Sequence, residues 1–340
     1  MRILIASGIY PPDIGGPAQY ARNLFEVWRA KGYDVKVAAY RWERAFPPGL
    51  RHFLYFLKII RKGWNADLIL VLDTWSAAVP TMLATSLIGK KYIIRTGGDF
   101  LWEAYVERTG KRIAFKNFYE TEKASFSFKE NLIFNFGGKA LRKARTVVFS
   151  SELQRTVFEK EYNLKRSQNV IVENYFGPKE ASIAPEGRTF VAGSRLIKLK
   201  NIDAVKKAFE RARGIIQERG LEPIHLDMGK AMYGNFVEKI RNAYAVIVGS
   251  ITEMSPNMVA DALRLNVPVL VTKENGIEER IRNYVISIDP YSVEDMAEKI
   301  AWIADPKNRA VQVEKTRGFT FVHTWEDIAK EIENIWKRFR

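Results

Sequence analysis

The 340-residue sequence contains no cysteine, which excludes disulfides, thiolate nucleophiles and Cys-ligated zinc or iron–sulfur centres. Its three histidines, His52, His225 and His323, are scattered, and no D-x-D triplet occurs, so no bound metal and no cofactor are expected. No stretch approaches the roughly 20 apolar residues of a membrane-spanning helix. The opening residues, Met1-Arg2-Ile3-Leu4-Ile5, pass straight into a strand pattern without an apolar signal region or a small-residue cleavage site, so a cytoplasmic protein is expected. The G-x-G-x-x-G dinucleotide fingerprint is missing as well, which disfavours a nicotinamide enzyme. Solenoid-length repeats, heptads and low-complexity segments are also absent.

What is present is a 47% hydrophobic chain long enough for two domains, with 54 Lys and Arg against 39 Asp and Glu. The net charge of +15 calls for a polyanionic neighbour. Nucleotide phosphates, anionic lipid headgroups and nucleic acid all meet that description.

The first 40 residues read as strand, glycine-bearing loop, helix and strand, a βαβ unit of a parallel sheet. Gly15 and Gly16 would let the backbone approach a ligand at the start of a helix opened by Pro17, and they equally suit a tight βα turn with no ligand. Residues 41–62 carry six basic side chains and one acidic, with Leu50, Phe53, Leu54 and Leu57 at helical spacing. Such a helix could lie on an anionic membrane or face the core. The loop 95–103 follows a predicted parallel strand and places Asp99 where open α/β sheets bind ligands. A helix N-cap is the competing role for Asp99. Residues 108–145 hold ten Lys and Arg against three Glu among seven phenylalanines and tyrosines. A core helix with a basic face, a lipid-anchoring surface and a nucleic-acid groove all fit that composition, although no nucleic-acid reading motif is recognisable. Residues 178–188, with two prolines and a glycine, are the best linker.

In the second half, Arg195 and Lys200 are five apart around a strand-to-helix loop. Further on, Ser255 suits an N-cap and Pro256 the first helical position, so the amides of Asn257 and Met258 should point at an anion. Glu253 stands just before that helix end and Asp261 within it. Residues 267–271 are an apolar strand buried on both faces, followed by Glu274-Asn275-Gly276.

Together these stretches resemble the signature of family 4 glycosyltransferases of the GT-B fold: two acidic residues separated by seven (Glu253, Asp261), a strand entry like "GVPV" (Asn266 to Val269), a loop like "GGxxE" (Asn275 to Glu279), and a "G-R-L-x-x-x-K" pattern (Arg195, Lys200). Asp261 stands where the family usually has Glu, and Asn275 where it has Gly. The resemblance implies an α/β protein of two Rossmann-like domains facing across a cleft, with a shortened C-terminal domain. The expected division is 1–178 for the acceptor, 179–322 for the nucleotide-sugar, and 323–340 as a final helix crossing back to the first domain. It further implies a retaining, metal-independent transfer from a nucleotide-diphosphate sugar to a glycan or lipid-linked acceptor, on the inner face of the membrane. Arg195, Lys200, Gly15, Gly16 and the helix start at Ser255, Pro256, Asn257 and Met258 would hold the diphosphate. Glu253 would bind sugar hydroxyls, Asp261 the ribose, and Asp99 the acceptor or a sugar hydroxyl. The alternatives are a non-catalytic nucleotide- or glycan-binding relative and, less favoured, a basic nucleic-acid-binding protein.

Overall fold

The computed structural model describes residues 1–13, 15–193, 197–229 and 233–338. The chain forms two compact units. The first comprises Met1–Tyr105, Phe118–Glu173 and the segment from Trp325 onward, and the second comprises Val106–Asn117 and Asn174–Thr324.

In the first unit the chain alternates β1 (Arg2–Ser7), α1 (Gly16–Ala30), β2 (Asp34–Ala39), α2 (Pro48–Gly63), β3 (Leu68–Val71), α3 (Ala78–Leu87) and β4 (Ile93–Thr96). It then passes through α4 (Phe100–Thr109), α5 (Phe115–Glu122) and α6 (Phe128–Lys143) to β5 (Thr146–Phe149), α7 (Glu152–Tyr162) and β6 (Asn169–Ile171). The strands form one parallel sheet in the order β2-β1-β3-β4-β5-β6. LILV, IIRT and TVVF are buried at every position, as strands covered on both faces require. Right-handed crossovers put α1, which leads from β1 to β2, on one face and α2, α3, α6 and α7 on the other. There α2, α3, α6 and α7 pack side by side in that order.

The 16-residue α2 carries two apolar stripes. Tyr55, Ile59 and Gly63 face the core, and the regularly spaced Leu50, Phe53 and Leu57 point outward. Periodicity shows that a stripe exists but not which of two apolar stripes meets the sheet.

The second unit runs β7 (Thr189–Ala192), α8 (Ile202–Glu218), β8 (His225–Asp227), α9 (Tyr233–Arg241), β9 (Ala245–Val248), α10 (Asn257–Arg264), β10 (Val269–Thr272), α11 (Glu278–Ile281), β11 (Ile286–Ile288), α12 (Val293–Ala304) and α13 (Pro306–Arg317). Its parallel sheet has the order β11-β10-β9-β7-β8. One apolar cluster joins Phe190, Ala208, Phe209 and Ile247 to Met296 and Ile300 of α12, and another joins Val246 and Val269 to Val259 and Leu263 of α10.

Residues 178–188 are not a loose tether along their whole length. The Lys179 ammonium donates to Leu263 O (2.7 Å), Asn266 Oδ1 (2.8 Å) and Thr316 O (2.7 Å). Glu180 takes Arg241 at 2.5 Å and also pairs with Arg264. Just before them, Phe176 and His323 exchange backbone hydrogen bonds of 2.9 Å. Proline and glycine content marks an irregular path here, packed at Lys179 and Glu180 and exposed over residues 181–184 and 186–187.

The last helix, α14 (Trp325–Arg338), belongs to the first unit and lies against α1. Its buried face is Ile328, Ala329, Ile332 and Trp336, and Trp325 meets the Tyr20 ring edge-on at 5.2 Å. The Glu333 carboxylate accepts from Trp28 Nε1 (3.0 Å), Lys31 Nζ (3.1 Å) and the Tyr33 hydroxyl (3.3 Å). Among the described residues no helix is long and apolar enough to cross a membrane.

Glu333→Ala leaves the buried Trp28 N–H without this acceptor, and it should lower the stability of the first unit by about 1–3 kcal/mol. Urea unfolding followed by tryptophan fluorescence reads this, and an unchanged midpoint counts against the bond's role.

Candidate functional site

In the second unit the loops after β7, β9 and β10 leave the carboxyl ends of three adjacent strands, the edge at which parallel sheets place ligands. Backbone hydrogen bonds lace these loops together. Ile251 N–H donates to Leu199 O (2.9 Å), Glu253 N–H to Glu274 O (2.9 Å) and Gly276 N–H to Glu253 O (2.9 Å). Glu253 and Asn275 thereby form a parallel bridge beyond the sheet. The lacing brings together two residues 53 apart in sequence, Lys200 and Glu253, whose ammonium and carboxylate form an ion pair. The Ser250 hydroxyl donates to the same Glu253 oxygen at 2.6 Å. Arg195 lies outside the described residues, so only the Lys200 half of the expected pair of cations is placed.

The helix expected to begin at Pro256 begins one residue later. Pro256, not Ser255, takes the cap position, and no side chain caps the end. The amides of Val259 and Ala260 turn back to Pro256 O at 3.0 and 3.3 Å. The amides of Asn257 and Met258 make no hydrogen bond among the described residues, which leaves two donors for an anion.

Asp261, expected at the ribose, meets partners within the protein. Its side chain is buried and accepts from Arg264 Nε at 2.9 Å, and Arg264 in turn pairs with Glu180, so the carboxylate is engaged inside the unit.

In the first unit Asp99 is buried, and both its oxygens are engaged. Oδ1 accepts from the amides of Leu101 (2.8 Å) and Trp102 (3.1 Å), which caps α4, and Oδ2 accepts from the Tyr119 hydroxyl (2.5 Å). Burial pushes its carboxyl above the ordinary value, partly offset by these donors. The structure thus places Asp99 as the N-cap of α4, with both oxygens hydrogen-bonded inside the protein. The glycines beside it are filled from within: a Cβ on Gly97 would come within 2.6 Å of Arg95 Nη1, and one on Gly98 within 2.5 Å of Glu103 Oε1. Arg95 itself lies buried over the Tyr20 ring, 4.0 Å from its centroid. Gly15 caps α1, where a Cβ would meet Ile9 Cδ1 at 2.8 Å, and Gly16 faces open space.

Three supporting residues went unnoticed in the sequence. Asn201, at φ 55° at the cap of α8, fixes the residue after Lys200 by donating to Gly249 O (3.0 Å) and Pro290 O (2.8 Å). Only its left-handed backbone, which Asn tolerates, could have marked it. Asn174 donates to Ser255 O (3.0 Å) and Asn257 Oδ1 (3.3 Å) beside the α10 end. Lys116, from the short Val106–Asn117 segment, pairs with Glu274 at 2.8 Å.

Residues 191–319, which include every one of these loops after β7, β9 and β10, match the family model of glycosyl transferases group 1. No curated protein sequence matches the chain. Among solved structures, Anabaena HepE in complex with UDP is 14% identical and aligns over 99% of this chain and 100% of its own, with a TM-score of 0.66. Sucrose-phosphate synthase from Thermosynechococcus elongatus is 14% identical over 99% of this chain and 98% of its own, with a TM-score of 0.69. WaaG, a glycosyltransferase involved in lipopolysaccharide biosynthesis, is 11% identical over 98% of this chain and 99% of its own, at 0.66. The fold is therefore GT-B, with two Rossmann-like α/β units.

A cap and a substrate ligand respond differently to substitution. Asp99→Asn, which keeps an oxygen for the α4 amides, should retain stability to within a few tenths of a kcal/mol, and Asp99→Ala should lose about 1 kcal/mol. Thermal unfolding of both variants checks this, and equal losses would remove the cap assignment.

Proposed function

We propose that the chain is a retaining, metal-independent glycosyltransferase of family 4 type, moving a sugar from a nucleotide-diphosphate donor to the hydroxyl of a glycan or lipid-linked acceptor at the inner face of a membrane. The observation that carries this reading is the meeting of Lys200 and Glu253 on laced loops within the stretch that matches group 1 glycosyl transferases. The solved HepE complexes with UDP and with UDP-glucose support a nucleotide-sugar as donor.

As the bond from the sugar to the diphosphate breaks, negative charge grows on the leaving oxygen. A cation aimed at that oxygen stabilises the transition state more than the ground state. Lys200 supplies one such charge, Arg195 the second, and the amides of Asn257 and Met258 supply neutral donors. Before donor binds, Glu253 balances the Lys200 charge. Once phosphate takes over Lys200, the Glu253 carboxylate is free to accept from sugar hydroxyls, still oriented by Ser250. The acceptor oxygen attacks from the face the diphosphate leaves, a new carbon–oxygen bond replaces the old one, and the acceptor proton passes to a diphosphate oxygen. No protein nucleophile is required, and the acceptor falls to the first unit.

A thermal-shift panel of UDP-, GDP-, ADP- and dTDP-sugars identifies the donor, since a ligand of the native state raises the melting temperature. With that donor, Lys200→Ala and Arg195→Ala should each reduce transfer by a factor on the order of 100. The rate should persist in EDTA, and the product anomer should keep the donor's configuration. Near-normal turnover in both variants would refute the diphosphate assignment, and donor binding without transfer or hydrolysis would leave a non-catalytic binding protein.

A further inference from the structure

The helices α2, α3 and α6 form one layer on the first unit's sheet, so their sheet-distal sides share a single surface. That surface is apolar on all three. Leu50, Phe53 and Leu57 line α2, Leu83 and Leu87 line α3, and Phe128, Leu132 and Phe136 line α6, each set at spacings of three or four. These are not marginal exposures: Phe128 is 85% accessible, Leu87 70%, Phe53 55% and Leu83 50%. Isolated exposed leucines are ordinary, but eight large apolar side chains on one helical layer are the kind of patch that marks an interaction site.

The charge on the same layer has one sign. α2 carries Arg51, Lys58, Arg61 and Lys62, and α6 carries Lys129, Lys139, Arg142 and Lys143. Glu130 is the one acidic residue on the three helices, and it is buried, closing the capping box of α6 with Ser127. Lys58 is held by Glu43, and Lys62 by Val37 O at 2.6 Å. Arg61, Lys129, Lys139 and Lys143 make no ion pair among the described residues. Between α2 and α3 the layer opens into a cavity of about 340 Å³, walled by Phe53, Phe56, Trp75, Val79 and Leu83. Its one ionisable wall is His52, whose ring is tied to the Tyr40 hydroxyl at 2.7 Å. The volume lies within the ~300–1,000 Å³ of small-ligand sites, and the lining is hydrocarbon and aromatic.

We propose that this layer docks flat on an anionic phospholipid bilayer, with the α2–α3 cavity taking a single lipid acyl chain. Apolar stripes flanked by Lys and Arg are the composition of helices that lie in a membrane interface, where the stripe enters the acyl boundary and the cations meet phosphate. A second copy of the chain is a poor occupant, because it would bring two unbalanced basic faces together. The inference gives a surface to the membrane contact in the proposed function, but it requires nothing of the donor site.

The full chain floated with vesicles tests it. Wild type should bind vesicles of phosphatidylcholine with about 30% phosphatidylglycerol at least roughly 10-fold more tightly than vesicles of phosphatidylcholine alone. The double variant Phe53→Ser with Leu83→Ser replaces exposed side chains, so it should keep the wild-type circular dichroism and thermal shift with the donor sugar while binding anionic vesicles at least roughly 10-fold more weakly. Lys129→Glu with Lys139→Glu should weaken the anionic vesicles by a similar factor and leave the neutral ones unchanged. The proposal is overturned if wild type ignores both vesicles at low salt, if Phe53→Ser with Leu83→Ser binds as wild type does, or if light scattering shows a dimer that this variant makes monomeric. Loss of vesicle binding with donor shift intact separates this surface from the donor reading, and the reverse result separates it equally.

Discussion

The candidate site depends on backbone hydrogen bonds between successive loops at one edge of a parallel sheet. A parallel sheet delivers every strand's carboxyl end to the same side, but the loops that follow are free to diverge unless something holds them. In the second unit Leu199, Ile251, Glu253, Glu274 and Gly276 do so through their main chains, so the geometry does not rely on which side chains the loops carry. Asn201 adds a side-chain clamp from the β7 loop to Gly249 and Pro290. With the loops fixed, Lys200 and Glu253 face one another and neutralise each other in the protein alone. An anionic ligand at this lysine would therefore compete with Glu253, and binding a phosphate there would exchange a carboxylate partner for a phosphate one.

The two units distribute their polar groups differently. The second keeps a half-buried lysine paired with a carboxylate, and two unused amides, at a strand edge. The first spends its conspicuous loop residues internally, Asp99 on the α4 amides and Tyr119, Gly97 on room for Arg95, and Gly98 on room for Glu103. Its outward chemistry is carried by a face of helices, apolar and basic, in place of a loop.

Much of this was legible in the sequence because the governing rules are local. Strand and helix alternation and full-length apolar strands follow from short-range pattern, whereas Lys200 and Glu253 were singled out by the resemblance to family 4 glycosyltransferases as well as by their place just beyond a strand. What could not be read depended on which partner a group would find. Asp99 suited a cap and a ligand equally until Tyr119 took its second oxygen. Asp261 looked available until Arg264 closed on it. Residues 178–188 have a linker's composition, yet Lys179 meets three acceptors that lie 84 to 137 residues downstream. The stripe of Leu50, Phe53 and Leu57 was visible, but its direction was set by Tyr55 and Ile59, whose burial only the folded sheet decides.

The position of α14 has a bearing on how the molecule is made. Glu333 and Trp325 supply an acceptor and a ring contact to α1, and more than 150 residues of the second unit are synthesised between the strands of the first unit and this helix. Domains generally fold as they leave the ribosome, the N-terminal one first. Here the nascent first unit emerges with the Trp28 side of α1 still bare, and it stays incomplete until the whole of the second has been translated. A chaperone that shields α1 during that interval would act on the same apolar surface that Ile328, Ile332 and Trp336 later cover.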